Sequence, residues 1–234
     1  MVKLGNFLFH YRNFLFPLFY ICLFLPAPPL FADYWTAIGA GLLVVLLGQI
    51  IRGMTIGLDY IIRGGRDRRV YAEDLVTTGI FSHCRNPLYV GNLLVLLGLG
   101  IASNSVYFVG ILMPLFLFFY QAIVLAEENF LRNKFGSGYD DYTKDVNRWW
   151  ISWKGMGETL GNASFKWKRF ILKEYNSTYT WMIGILALTA KHQYTIDPAI
   201  LEQNHLSFLV SLLVITFVYL FIKFLKKTKR MVTN

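Results

Sequence analysis

The residues of this chain best suited to hold or transform a small molecule are Arg85-Asn86-Pro87-Leu88-Tyr89-Val90-Gly91 and, further on, Glu127-Glu128. Asn is a strong helix N-cap and Pro favours the first helical position, so a helix is expected to open at Pro87. The free N–H groups of such a helix start, beside Arg85, suit a carboxylate or phosphate. Glu127 and Glu128 end an apolar run, at the negative pole of a helix dipole, where carboxylates are disfavoured. Adjacent helix positions point about 100° apart, so the two cannot both face bulk water on a packed helix. A cationic or hydroxyl-rich ligand would relieve that conflict, and so would an i,i+4 pairing of Glu128 with Arg132. Only an apolar hairpin, turning at Ser103-Asn104-Ser105, separates the two groups. A short turn makes its arms antiparallel neighbours. The Asn86 end and the Glu127 end should therefore meet on one side, as a site for a zwitterionic ligand.

The elements that must position these residues are membrane helices. The 234 residues are 55% hydrophobic yet carry 23 Lys and Arg against 14 Asp and Glu. Charge concentrated between long apolar runs marks a polytopic membrane protein. The basic residues lie beside apolar runs rather than on a soluble domain, which argues against nucleic acid as a partner. Cys22 and Cys84 are too far apart in character to suggest a disulfide framework, and no His/Cys cluster has metal-ligand spacing. Lys3 and Arg12 precede an apolar run as in a signal peptide, but Leu30 is too large for the small-residue cleavage pattern; a retained helix is expected.

Six spans are expected, at about 14–31, 34–54, 88–102, 105–126, 179–190 and 206–225. The third and fifth are short for a hydrocarbon core of about 30 Å. With the N-terminus cytoplasmic, the outer segments hold one basic residue, Lys191, and all the other Lys and Arg fall on the inner side. The closing Lys226-Lys227-Thr228-Lys229-Arg230 fits that face, so both termini are expected in the cytoplasm. Chemistry should then be cytosolic, on the long inner segments at about 59–86 and 127–177. The second of these, rich in Trp and Lys, is expected to lie partly in the headgroup layer. Gly53-x-x-x-Gly57 suits close helix packing. Arg52 reads as a snorkelling side chain at a helix end. Gly98-Leu99-Gly100 lies inside a span and is no dinucleotide fingerprint. His83 and Cys84 adjoin the motif, but sequence neighbours rarely face each other as a nucleophile pair.

The motifs carry a resemblance. Leu75-Val76-Thr77-Thr78-Gly79-Ile80-Phe81, then Arg85-Asn86-Pro87-x-Tyr89-x-Gly91, then Glu127-Glu128-x-x-Leu131-x-x-x-Phe135-Gly136-x-x-Tyr139-x-x-Tyr142-x-x-x-Val146-x-Arg148, resembles the isoprenylcysteine carboxyl methyltransferase and phospholipid methyltransferase superfamily. Gly48-x-x-x-Arg52 upstream resembles the family's preceding helix, and the likeness covers about 42–150. It implies an all-α membrane enzyme with a cytosolic cofactor pocket, transferring a methyl group from S-adenosylmethionine to a lipid or lipophilic acceptor. By position the implied cofactor contacts are Leu75, Val76, Phe81, Asn86, Pro87, Leu88, Tyr89 and Glu128, to which the residue reading adds Arg85. The layout expected is an N-terminal membrane region at 1–41, a methyltransferase-like core at 42–154, and a C-terminal extension at 155–234 with two further spans.

Two departures stand out. The family's usual His before Pro is Asn86 here, which keeps hydrogen-bonding capacity but does not titrate. The Arg that holds a prenylcysteine carboxylate, about one turn before the paired acids, is Val124 here, which argues against that acceptor. Methyl transfer needs alignment more than acid–base help; where a base is needed, Glu127 is the best placed. An NADPH-dependent reductase of the sterol-reductase type, which shares Asn-Pro-x-Tyr-x-Gly, and a non-catalytic membrane scaffold are the alternatives.

Overall fold

The protein is described by a computed structural model at residues 1–58 and 72–232. The inner segment expected at 59–86 thus lies partly outside the described residues. The expected all-α membrane fold is found. Among the described residues eight α-helices follow one another: α1 (Val2–Tyr20), α2 (Tyr34–Gly57), α3 (Pro87–Ala102), α4 (Met113–Phe135), α5 (Ser137–Asp145), α6 (Met156–Gly161), α7 (Trp167–Ile196) and α8 (Pro198–Lys227). A 3₁₀ turn at Ile21–Phe24 extends α1, another at Gly79–Ser82 precedes α3, and a π-helical stretch at Phe108–Leu112 leads into α4. Among the described residues four helices are long and apolar enough to cross a membrane: Val2–Phe24, Tyr34–Gly57, Phe108–Phe135 and Pro198–Lys227. The shorter α3 is an apolar helix whose polar side chains are Tyr89 and Asn92.

Three boundaries differ from the sequence expectation, one of them the start of α8, at Pro198 rather than near 206. The first helix begins at Val2 rather than near residue 14, because Lys3, His10 and Arg12 interrupt hydropathy without interrupting helix formation. It stops before Pro26, Pro28 and Pro29, which cannot continue it. The expected short span at 179–190 is the middle of the 30-residue α7, whose charged first turns read as a loop segment.

Capping fixes several helix starts. Asp33 accepts from the backbone N–H of Thr36 at 2.7 Å to open α2. Asp197 accepts from Ala199 at 2.9 Å, with Pro198 in the first position of α8. At the α3–α4 turn Asn104 adopts φ 55°, and its side-chain oxygen accepts from the N–H groups of Leu30 and Phe31. That pins the Pro-rich α1–α2 link to the tip of the hairpin.

Helix pairing is set by small residues. The α-carbon of Gly41 faces the carbonyl of Gly98, and that of Gly48 faces the carbonyl of Gly91; a Cβ on any of the four would sit under 3 Å from the opposing backbone. The α2 and α3 backbones are thus in direct contact. Gly5 lets α1 touch the carbonyl of Ala122 on α4 in the same way. Farther along, Phe16 and Phe19 of α1 meet Phe116, Phe119 and Tyr120 of α4. The hairpin arms therefore take different principal partners, α3 on α2 and α4 on α1. Gly53 and Gly57 pack close, as expected, but against the rings of Phe170 and Phe165. The main core joins Val45, Leu96, Leu99, Phe116 and Leu188. Helix α8 buries none of its residues and presents Leu, Val and Phe side chains outward, as a lipid-facing helix does.

Candidate active site

The start of α3 is held from outside rather than by its own cap. Asn86 occupies the N-cap position before Pro87, yet its side chain makes no capping bond; its amide donates to the carbonyl of Arg148 at 3.1 Å. The expected Asn cap is corrected accordingly. The loop before it is stapled to α5 and to the segment that follows α5. The Arg85 N–H donates to the Asn147 carbonyl at 2.9 Å, and the Tyr142 hydroxyl donates to the Phe81 carbonyl at 2.7 Å. The His83 ring lies between the Ser152 carbonyl and the Thr159 hydroxyl, at 2.8 and 2.9 Å. A carbonyl can only accept, so Nδ1 carries the proton. The thiol of Cys84 is fully buried, and burial pushes it up to about 11. A protonated, enclosed thiol and a ring committed to two other groups make no nucleophile pair.

The two glutamates at the end of α4 diverge as helical geometry requires. Glu128 turns toward the loops: Arg148 donates to both its oxygens at 2.8 Å, and Arg85 lies 3.6 Å away. The Glu128 hydrogen bonds raise Arg148 above its ordinary value. The expected Glu128–Arg132 pairing is not found; Arg132 pairs with Asp140 at 2.8 Å. Glu127 turns the other way. One of its oxygens accepts from the Tyr89 hydroxyl at 2.7 Å, and the other is buried with no hydrogen-bond partner. The ends of the hairpin do meet, through this Tyr89–Glu127 bond.

Glu127 faces a cavity of about 550 Å³ between α1, α3 and α4. Of the residues singled out from the sequence, Phe81, Asn86, Pro87, Leu88, Tyr89 and Glu127 line it. Leu75, Val76, Arg85 and Glu128 do not. Leu75 packs with Tyr139, Tyr142 and Leu131 beneath the loops, and Arg85 and Glu128 stand behind the cavity wall. The opposite wall comes from α1, through Phe9, Arg12, Asn13, Phe16, Pro17 and Tyr20. The sequence did not assign α1 to the site; its one available signal was the charge of Arg12, which reads as the flank of an apolar run.

Arg52 also reaches the cavity and does not snorkel. It holds Glu174 of α7 in a bidentate pair at 2.9 and 2.6 Å and bonds Asn92 of α3. Gln49 adds a bond to Glu174 at 3.0 Å and accepts one from Trp181 at 3.1 Å. Glu174 is 2% exposed, and Arg52 and Gln49 satisfy its oxygens.

Comparison with known proteins places this geometry. The family profile for phospholipid methyltransferase matches residues 36–138, from the first turn of α2 to the start of α5. Over this stretch, 103 of the 234 residues, the chain is similar to the phospholipid methyltransferase family. It is 31% identical over 127 residues to a probable protein-S-isoprenylcysteine O-methyltransferase of Oryza sativa subsp. indica, covering 51% of this chain and 63% of that one. It is 39% identical over 73 residues to the nickel-cobalt-cadmium resistance protein NccN of Alcaligenes xylosoxydans xylosoxydans, covering 31% of this chain and 34% of that one. The cobalt-zinc-cadmium resistance protein CzcN of Cupriavidus metallidurans is 44% identical over 61 residues, 26% of this chain and 28% of that one. The chain thus spans about a third of the metal-resistance relatives and less than two thirds of the rice enzyme. No solved structure matches it. The shared stretch holds Asn86, Tyr89, Glu127 and Glu128, whereas Arg12, Arg148 and Glu174 lie outside it.

Proposed function

We propose that this chain is an integral membrane methyltransferase that transfers a methyl group from S-adenosylmethionine to a lipid or lipophilic acceptor. One observation carries the reading: the Asn86-Pro87-x-Tyr89 motif and Glu127 of the Glu-Glu pair converge on one cavity, where Glu127 keeps a buried oxygen without a partner. A buried polar atom left unsatisfied costs about 1–3 kcal/mol, a cost relieved when a ligand donor arrives. The cavity volume falls in the range of small-molecule sites, roughly 300–1,000 Å³.

The residues present fit the cofactor. Glu127 would accept from its ammonium or a ribose hydroxyl. The rings of Phe81 and Tyr89 suit adenine or the sulfonium, the latter by cation–π attraction. When bound, the cofactor supplies an electrophilic methyl group. The chain's part is orientation: Tyr89 and Glu127 fix each other, and the Asn86–Arg148 bond holds the first turn of α3 in place. Glu127 is also the proposed base for an acceptor that must shed a proton. Leu75, Val76, Arg85 and Glu128 act in this reading by supporting the wall.

Both termini lie in the cytoplasm and six helices cross, a topology supported by the distribution of Lys and Arg. Residues 42–154 form the methyltransferase-like core, with α7 and α8 as an extension. The family match favours this function over the reductase and scaffold alternatives. Calorimetric titration in detergent tests it. S-adenosylhomocysteine should bind and NADPH should not; the reverse result refutes the proposal.

A further inference from the structure

Arg12 is the one arginine that α1 brings to the cavity, and it sits about 15 Å along that helix from Val2, inside a run apolar enough to span a membrane. A charge at such depth is costly and usually serves a function. No acidic side chain among the described residues forms an ion pair with it. Its guanidinium stacks on the Phe9 ring, 4.1 Å from the centroid, and one nitrogen reaches the Tyr89 hydroxyl at 3.5 Å. Stacking holds the planar group in place while its edge can still offer donors to a carboxylate or phosphate. Across Tyr89 stands Glu127, 7% exposed, with its second oxygen unpartnered. One cavity wall therefore presents a cation without a counter-ion, and the other an acceptor without a donor.

We infer that Arg12 is a specificity-determining residue that binds an anionic oxygen group, carboxylate or phosphate, on the head of the lipophilic acceptor. The inference rests on the methyltransferase reading. Two features assign Arg12 to the acceptor rather than to the cofactor. First, α1 lies outside the stretch shared with the family, whereas a cofactor common to the family calls for contacts within it. Second, the α1 wall around Arg12 is made of Phe9, Phe16, Pro17 and Tyr20, a lining for a hydrocarbon chain. The opposite face of α1 exposes Phe7, Phe14, Leu18 and Ile21, so the helix stands between the cavity and lipid. A chain reaching the cavity along α1 would meet Arg12 with its head while its tail stayed against apolar side chains.

The test uses the full chain in nanodiscs of neutral lipid, with wild type, Arg12→Lys and Arg12→Gln. Probes are labelled oleoyl lysophosphatidate and farnesylcysteine, with monoolein as an uncharged control and S-adenosylhomocysteine for the cofactor side. Arg12→Gln should weaken at least one anionic probe about tenfold or more, which is about 1.4 kcal/mol or more. Arg12→Lys should recover part of that affinity. Monoolein and S-adenosylhomocysteine affinities should stay unchanged. Which probe loses affinity identifies the anion as phosphate or carboxylate. Unaltered binding of both anionic probes overturns the assignment. So does an equal loss for monoolein, which would indicate a packing role, or a parallel loss of S-adenosylhomocysteine, which would give Arg12 to the cofactor. Failure of the wild type to bind S-adenosylhomocysteine refutes the methyltransferase reading alone, and the lipid arms still decide the anion role.

Discussion

Replacing Glu128 with Ala should destabilise the protein, although the neighbouring Glu127 can be altered with little structural cost. The Glu128 side chain is 6% exposed and is held by Arg148 and by Arg85, which is 12% exposed. Removing one partner of a buried pair typically costs about 3–5 kcal/mol, because the other charge stays desolvated. Arg148 is 33% exposed and can regain water, which moves the expectation to the lower end, about 3 kcal/mol. For a chain of this size that corresponds to a fall in melting temperature of roughly 6–12 °C. Thermal unfolding in detergent, followed by circular dichroism, measures it. A double-mutant cycle with Arg148→Ala isolates the pair and should return a coupling of about 1.5–3 kcal/mol. The same loss frees the segment whose carbonyl at Arg148 anchors Asn86, so S-adenosylhomocysteine binding should weaken in parallel. A melting temperature within 2 °C of wild type, in the range of ordinary surface substitutions at about ±0.5 kcal/mol, or strictly additive single effects, would refute the argument.

Glu127→Gln should leave the melting temperature nearly unchanged while lowering S-adenosylhomocysteine affinity at least about tenfold by calorimetry, since a charge-assisted bond is worth about 1.5–3 kcal/mol. Glu174→Ala, which leaves Arg52 buried without its carboxylate, should destabilise by about 3–5 kcal/mol in the same unfolding assay. Cys84 should resist iodoacetamide in the folded protein at pH 8, and mass spectrometry should find it alkylated only after unfolding. Its folded value is raised from 9.0 to about 11, so the folded state favours the protonated thiol. The stability this contributes is complete below pH 9 and is lost as pH rises toward 11, a trend that Cys84→Ala should remove.

The hairpin and its paired ends were legible because polar residues bracketing an apolar run must come together when the turn is short. The divergence of Glu127 and Glu128 followed from helical geometry alone. The partners of Glu128 did not: Arg132 has the right spacing, but Arg148 approaches through a loop whose path no local pattern encodes. Asn86 was placed correctly as the residue before the helix, and its side chain was misassigned because a tertiary acceptor competed with the local cap. Arg12 looked like the flank of a hydrophobic segment, since hydropathy alone does not reveal that a charge faces a cavity instead of an end. Glu174 gave no signal at all; its partner Arg52 lies 122 positions away.

The glycine contacts between α2 and α3 have a bearing on how this architecture can change. Where two backbones touch at Gly41–Gly98 and Gly48–Gly91, no side-chain layer exists to be retuned, and almost every substitution there meets a main-chain atom. The seam is closed to gradual variation, and with it the position of the α3 motif that the cavity depends on. The opposite wall is restricted in this way only at Gly5, against Ala122; over residues 9–20 α1 meets α4 through Phe and Tyr rings, which tolerate exchange of size and shape better than backbone contacts do. On the proposed function, new acceptors can therefore be explored by altering residues 9–20 while the α3 side stays fixed, so a chimera that exchanges α1 between relatives should carry acceptor preference with it.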